Sequence, residues 1–343
     1  MMIKNLSKVQ KIVNLLIQLA IFVVTCLFIY HQVFQKTDLP GLVNTFKEDL
    51  GKPDFQRGLL LVILMMLVNW GLEAYKWKYL IGKVEKISFI KAFQAVFTGI
   101  SISSFIPNRV GEFFGRVYIL KTASRVESIL ITVVGSMSQL LITVLAGSAA
   151  LLVFIPRYLP EAGLSNGYLY AVLITLVVAL DFLLLAMFFK LSFLTTLKER
   201  ILLNGLKRFR KFFRVFAFYH NREMATVMLL SLARYLVFST QFYLLLMLFG
   251  LEIPYFTSLV LIALVYFIMA IIPTIALTEL GIRGSVALYV FGLYSGQLFP
   301  AAATNSVGIF AASTLLWMIN LGIPALIGTI FVFRLQFFRK TSH

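Results

Sequence analysis

Two short polar segments interrupt otherwise apolar stretches of this chain, residues Ile106 to Arg116 and Ile272 to Arg283. The first holds Pro107, Arg109, Gly111, Glu112, Gly115 and Arg116; the second holds Pro273, Glu279, Gly281 and Arg283, with Gly284 next in line. A charge at membrane depth costs at least roughly 2.5 kcal/mol, so charges kept there usually have a task. The task these residue types suit is anion binding. Proline lacks an amide hydrogen and turns the preceding residue away from helix, so a helix should end near Ile106 and a new one begin just beyond. The free amides and partial positive charge of the new helix would face the break. Arg109, Arg116 and Arg283 add full charge, and a guanidinium matches phosphate in bidentate geometry, which fits a phospholipid headgroup or a phosphorylated lipid carrier. Glu112 and Arg116 stand four apart, as do Glu279 and Arg283. Each carboxylate can orient its arginine, meet an amino group, or simply neutralise the charge in a buried corner. In that last case Gly111 and Gly115 are packing residues between helices, and Gly281 and Gly284 allow close backbone approach.

The elements that must position these residues are membrane spans. With 343 residues, 60% of them hydrophobic and 13% charged, and a mean hydropathy of +0.92, the chain is excluded from ordinary soluble domains. Apolar runs long enough to cross a bilayer lie near 13–30, 59–81, 127–156, 168–189, 224–250 and 302–332. Two more, 88–106 and 256–272, run into the interruptions, and short apolar arms at 113–120 and 284–298 follow. The expected fold is an all-α polytopic membrane protein with six full spans plus two re-entrant broken-helix hairpins. It forms a single integral membrane domain over 1–343, with a first half-repeat at 1–160 and a second at 161–343.

Loop charges orient these spans, because Lys and Arg are enriched on the cytoplasmic side. Nine basic residues and the single acid Glu199 lie from Lys190 to Arg222, which makes 190–222 a cytoplasmic basic loop. Segments Lys76 to Lys91 and Arg109 to Arg125 are basic as well and are placed inside; the balanced 31–58 loop and the sparse 157–167 loop are placed outside. Both termini then fall in the cytoplasm. Each half holds three spans and one hairpin, and three is odd, so the second half is inverted relative to the first. Inverted repeats with broken helices meeting near the midplane are a recurrent transporter plan. Full spans in place of the hairpin arms would keep the same loop sides. The polar Lys91, Gln94, Thr98, Ser101, Ser103 and Ser104 argue against lipid exposure of the first arm.

The remaining chemistry is sparse. The net charge of +17 reports inner loops and anionic headgroups, not a nucleic-acid partner, since no soluble domain presents a groove. Cys26 is the lone cysteine, and His31, His220 and His343 are scattered, so no cofactor, metal site or catalytic residue is expected and the chain is read as a non-enzyme. The first apolar run has no small-residue cleavage site after it and is read as a retained span. Arg234 and Asp181 lie inside spans and should face the bundle interior; Arg234 is a substrate-binding or snorkelling residue, and Asp181 an ion-coupling candidate or a buried counter-ion. Asn69, Glu73, Gln139, Gln241 and Asn320 are expected to knit helices together. The mixed basic and aromatic stretch Lys198 to Arg214 reads either as an amphipathic helix on the inner leaflet or as plain topology charge.

Residues Pro107, Arg109, Gly111, Glu112 and Arg116 resemble the signature of the lysylphosphatidylglycerol synthase transmembrane-region family, which includes the flippase half of the multiple peptide resistance factor. The second family motif, a proline and a glycine-rich turn ending in Gly-x-Gly-x-x-Glu, is matched in part: Glu279 stands at its first glycine, Gly281 fits the second, and Gly284 replaces the closing glutamate. The resemblance implies movement of an anionic or zwitterionic phospholipid or polyprenyl-linked lipid between leaflets of the plasma membrane. Arg109, Arg116, Arg234 and Arg283 would serve as substrate-binding residues, with Glu112 and Glu279 orienting them. Two-part members add a soluble aminoacyl-transfer domain after the membrane part. This sequence ends at His343, and lipid aminoacylation by it alone is not expected. Rival readings are a membrane-embedded enzyme acting on a lipid phosphate and a non-catalytic cell-envelope scaffold. Expected partners are membrane lipids, a second copy in a homo-oligomer, or cell-envelope biosynthetic enzymes. With no ATP-binding motif, uphill transport would draw on an ion gradient, a partner or removal of product.

Overall fold

A computed structural model describes Leu16 and residues 50–103, 111–158, 167–190, 219–272, 276–294 and 306–332. All of its elements are helices: α1 (Pro53–Ile81), α2 (Phe89–Ser103), α3 (Gly111–Val117), α4 (Arg125–Tyr158), α5 (Gly167–Lys190), α6 (Asn221–Leu248), α7 (Tyr255–Ile271), α8 (Ala276–Tyr294) and α9 (Ser306–Val332). Among the described residues, α1, α4, α5, α6 and α9 are long and apolar enough to cross a membrane. The chain is therefore a multi-pass membrane protein. The expected span at 13–30 and nearly all of the 190–222 loop fall outside the described residues, as do Pro107, Arg109 and Pro273.

Local chemistry accounts for the helix limits. Pro53 opens α1 with Asp54 in its first turn, where a missing amide costs nothing and a negative charge meets the positive end of the helix. At the start of α6 the Glu223 carboxylate accepts the His220 amide at 2.9 Å. Pro324 has no amide to return to residue 320, so α9 widens into a π turn over Met318–Gly322, where the Ile323 amide donates to the Met318 carbonyl.

Helices α2 and α3 pack antiparallel as the arms of a hairpin. A Cβ on Gly115 would stand 2.6 Å from the Gly99 Cα, and one on Gly111 would stand 2.7 Å from the Ile102 carbonyl oxygen, so only glycine permits this approach. The two ends of the hairpin meet as well. Glu85, before α2, accepts the amides of Lys121, Thr122 and Ala123, after α3, at 3.0, 2.7 and 2.9 Å, and the Thr122 hydroxyl at 2.9 Å. Burial works to raise the Glu85 carboxyl, but these donors outweigh it and hold it at about 2. The described part of α3 is seven residues, about 10 Å, long.

Contacts at the two ends of the bundle group its loops. At one end Glu85 reaches 121–123, Lys83 pairs with Glu223 at 2.5 Å, and the Tyr219 hydroxyl donates to the Leu80 carbonyl at 2.8 Å. At the other, Phe55 stacks edge-on to Phe249, and Tyr158 does the same to Tyr294. Between them the packing is crosswise. The first hairpin lies on α9, where the Ser101 hydroxyl donates to the Ala325 carbonyl at 2.6 Å, and α7 lies on α4, where a Cβ on Gly147 would run into Phe267. Helices α1 and α6 pack against each other at the centre.

Two expectations change. Lys76 does not belong to an inner-side loop segment: α1 continues to Ile81, and Lys76 is buried in it at 1% exposure because a carboxylate one turn back receives it. The second interruption is not symmetric with the first. Glu279 and Arg283 sit on α8, a continuous helix to Tyr294, and a Cβ on Gly281 would meet nothing within 4 Å, so Gly281 makes no close approach. Gly284 does; a Cβ there would overlap the Phe310 ring.

Candidate functional site

A cavity of about 710 Å³ lies where the two hairpins converge on the central helices. Its wall takes Glu112 from α3 and Glu279 and Arg283 from α8, so the two interruptions, well separated in sequence, share one site. Helix α1 contributes Asn69, Glu73 and Lys76, which stand on one face at i, i+4 and i+7. Helix α6 contributes Arg234. Trp70, Tyr235, Phe238, Tyr266 and Trp317 make the rest of the wall largely aromatic.

Glu73 is the centre of the charge network. Its Oε1 accepts from Arg116 Nη1 at 2.9 Å, while its Oε2 lies 2.9 Å from Lys76 Nζ and 3.3 Å from Arg234 Nη1. One buried carboxylate thus faces three cations, each with a further anchor. Lys76 also donates to the Gly135 carbonyl at 3.1 Å and the Ser231 hydroxyl at 3.2 Å. Arg116 donates its other terminal nitrogen to Glu112. Arg234 lies over the Trp70 ring at 4.8 Å and donates to Gln139 Oε1 at 3.4 Å. The contacts of Arg234 are the longest of the three sets, and its side chain is the most exposed of the three cations at 19%.

The interruption pairs form as their spacing predicts. Arg116 bonds Glu112, and Arg283 Nη2 donates to Glu279 Oε1 at 2.6 Å. Their settings differ. Arg116 is 2% exposed and stands behind the wall, whereas Arg283 lines the cavity beside the Phe238 ring. Asp181 lies elsewhere: on α5, its Oδ2 accepts the Ser148 hydroxyl at 2.6 Å, and neither residue lines the cavity. Asn69 and Asn320 join α1 to the π turn at 3.1 Å, and Gln241 donates to the Val62 carbonyl at 2.9 Å, so these amides do tie helices together.

Sequence reasoning passed over Glu73 and Lys76. Glu73 was grouped with the helix-joining residues and Lys76 with the loop charges, although their shared face with Asn69 in an apolar helix was visible in the spacing. The further partners of Glu73, Arg116 and Arg234, lie 43 and more residues from it and carry no local signal.

Among its lining residues the charged side chains are largely buried, whereas Leu140, at mid-α4, is 51% exposed and Ile271, at the end of α7, is 67% exposed.

These features define a multi-pass helical membrane protein with a charged cavity lined by residues of both interruptions. The chain belongs to the lysylphosphatidylglycerol synthase transmembrane-region family, whose model matches residues 15–322. No curated protein matches it.

Proposed function

We propose that this protein moves a lipid with a phosphate-bearing headgroup, anionic or zwitterionic, between the leaflets of the plasma membrane. The observation that carries the reading is the lining of the cavity: guanidinium and carboxylate groups inside, and exposed apolar side chains, Leu140 at mid-α4 and Ile271 at the end of α7, which we read as an apolar mouth. A lipid can place its headgroup among the charges and leave its acyl chains outside at the mouth. A water-soluble solute has no use for such an opening. Membership in a family named for the membrane region of a lipid synthase supports the same substrate class.

The hairpins are read as re-entrant and the two halves as an inverted repeat. The clasp between Glu85 and residues 121–123 supports the first, and the crosswise packing of each hairpin on the last span of the other half supports the second. Both termini are placed in the cytoplasm on loop charge. Single cysteines replacing Lys86 and Lys121, in a Cys26→Ser background, should label from the same side of the membrane. Labelling from opposite sides would sink the hairpin arrangement.

The test of transport is purified protein in liposomes carrying a leaflet-specific lipid probe, with a panel of native lipids. Wild type should accelerate exchange for at least one lipid, and Arg234→Ala and Arg283→Ala should slow it by about tenfold or more, the loss expected for a charge-assisted contact. Equal rates with and without protein across the panel would overturn the proposal.

A further inference from the structure

The two Glu–Arg pairs look interchangeable in sequence, yet their surroundings are not. In the first, both terminal nitrogens of Arg116 are committed, one to Glu73 and one to Glu112, and the residue does not line the cavity. Its Nε also lacks a hydrogen-bond partner among the described residues, but at 2% exposure it is closed off behind the wall. In the second, Arg283 is nine-tenths buried, lines the cavity and is bonded through Nη2 to Glu279 alone; its Nε is a buried donor with no hydrogen-bond partner among the described residues. Trp70, 4% exposed, lines the same cavity, and its indole N–H is a second buried donor with no hydrogen-bond partner among the described residues. A buried donor left unmade costs free energy comparable to a lost hydrogen bond, so such donors on the lining of one cavity, Arg283 Nε and the Trp70 indole N–H among them, mark a place built for an acceptor. Arg234 lies over the Trp70 ring and adds positive charge beside that indole.

We propose that the pairs divide the labour: Arg283, with the Trp70 indole N–H, receives the phosphate oxygens of the headgroup, while Arg116 is a latch that holds α3 on α1 through Glu73. This rests on the lipid reading above and assigns its phosphate to one side of the cavity. The latch follows from connectivity. Arg116 lies on α3, Glu112 one turn before it, and Glu73 on α1, so the guanidinium is the bond between hairpin and central helix. Among the described residues the hydrogen bond of Arg283 stays within α8, to a carboxylate four residues away, and its contact with another helix is the Phe238 ring of α6 at 6.0 Å. Releasing Arg283 to a ligand therefore breaks no bond between helices, whereas releasing Arg116 would detach a hairpin.

The experiment uses the full chain purified in detergent. Binding of dioleoyl phosphatidylglycerol and of dioleoylglycerol, which shares the acyl chains and lacks the phosphate, is measured by native mass spectrometry, and amide exchange is followed over residues 111–117. Arg283→Gln should weaken phosphatidylglycerol binding by about 10- to 100-fold, and Trp70→Phe, which keeps the ring and loses the donor, by about 3- to 10-fold. Arg116→Gln should leave that affinity within about threefold, the size of an indirect effect, and speed exchange over 111–117. The proposal is overturned if Arg116→Gln loses the phospholipid as severely as Arg283→Gln while exchange over 111–117 is unchanged. It is also overturned if Arg283→Gln and Trp70→Phe both bind as wild type. Should Arg283→Gln fail to fold, Arg283→Lys replaces it: the charge is kept, the fork is lost, and an unchanged affinity in both Arg283→Lys and Trp70→Phe counts against the assignment. Wild type binding dioleoylglycerol as tightly as phosphatidylglycerol would instead remove the headgroup-phosphate reading itself, and this division with it.

Discussion

Replacing Glu73 by glutamine removes the one carboxylate that faces Lys76, Arg116 and Arg234 while keeping its shape. At N···O separations of 2.9, 2.9 and 3.3 Å, each pair carries about 5 to 6 kcal/mol of gross attraction at an effective dielectric near 20. Desolvation of several kcal/mol per ion and repulsion among the three cations offset most of that sum. What the variant exposes is the asymmetry of a broken buried pair: the cations stay, uncompensated, at about 3 to 5 kcal/mol. In a chain of this size that shifts the melting temperature by on the order of 10 °C. Lys76→Met is milder, since Gly135 O and Ser231 keep the Ser138 hydroxyl, at 2.8 Å each, as a partner. The double variant Glu73→Gln/Lys76→Met removes one charge of each sign and should be more stable than the sum of the singles by about 1 kcal/mol or more. Circular dichroism melts in detergent read all four proteins. A Glu73→Gln melt within about 2 °C of wild type, or singles that add to the double within about 0.5 kcal/mol, would refute a shared charge hub.

Glu85 supplies a pH dependence with a defined sign. Its folded carboxyl, held at about 2 by the amides of 121–123 despite burial, lies below the ordinary value of 4.5, so its contribution is complete above about 4.5 and is lost as pH falls towards 2. Amide exchange at Lys121–Ala123 should accelerate, relative to the intrinsic rate, through that window in wild type. In Glu85→Gln it should be fast throughout, and a wild-type profile in the variant would count against the clasp. Gly115→Ala should destabilise the protein by about 1 to 3 kcal/mol, because its new Cβ meets the Gly99 backbone 2.6 Å away and backbone cannot yield as a side chain tip can. Gly281→Ala, in the interior of α8 with open space around it, should be neutral or stabilising by up to about 1 kcal/mol. Thermal melts that reversed this order would overturn the packing account of the first hairpin.

Local sequence carried much of the fold. Hydropathy located α1, α4, α5, α6 and α9, because a 20-residue apolar run has few other ways to satisfy its backbone in lipid. The Glu112–Arg116 and Glu279–Arg283 pairs were legible too, since residues four apart on a helix are neighbours whatever surrounds them. The same local logic misled at Lys76. A lysine near the end of an apolar run is ordinarily a loop or snorkelling residue, and only its buried partner Glu73 shows otherwise.

By itself, then, the sequence determined that this is a helical membrane protein, where its helices run, and that two charged breaks interrupt them. Those properties follow from the solvent and from neighbours within a turn or two. Only the tertiary structure decided that Glu112 and Glu279, one from each interruption, line one cavity, that Glu73 gathers cations from three helices, and that one arginine of the matched pairs lines the cavity while the other is locked behind its wall. Contacts such as Glu73 to Arg116 span 43 residues and depend on how α1, α3 and α6 cross, which no local periodicity encodes.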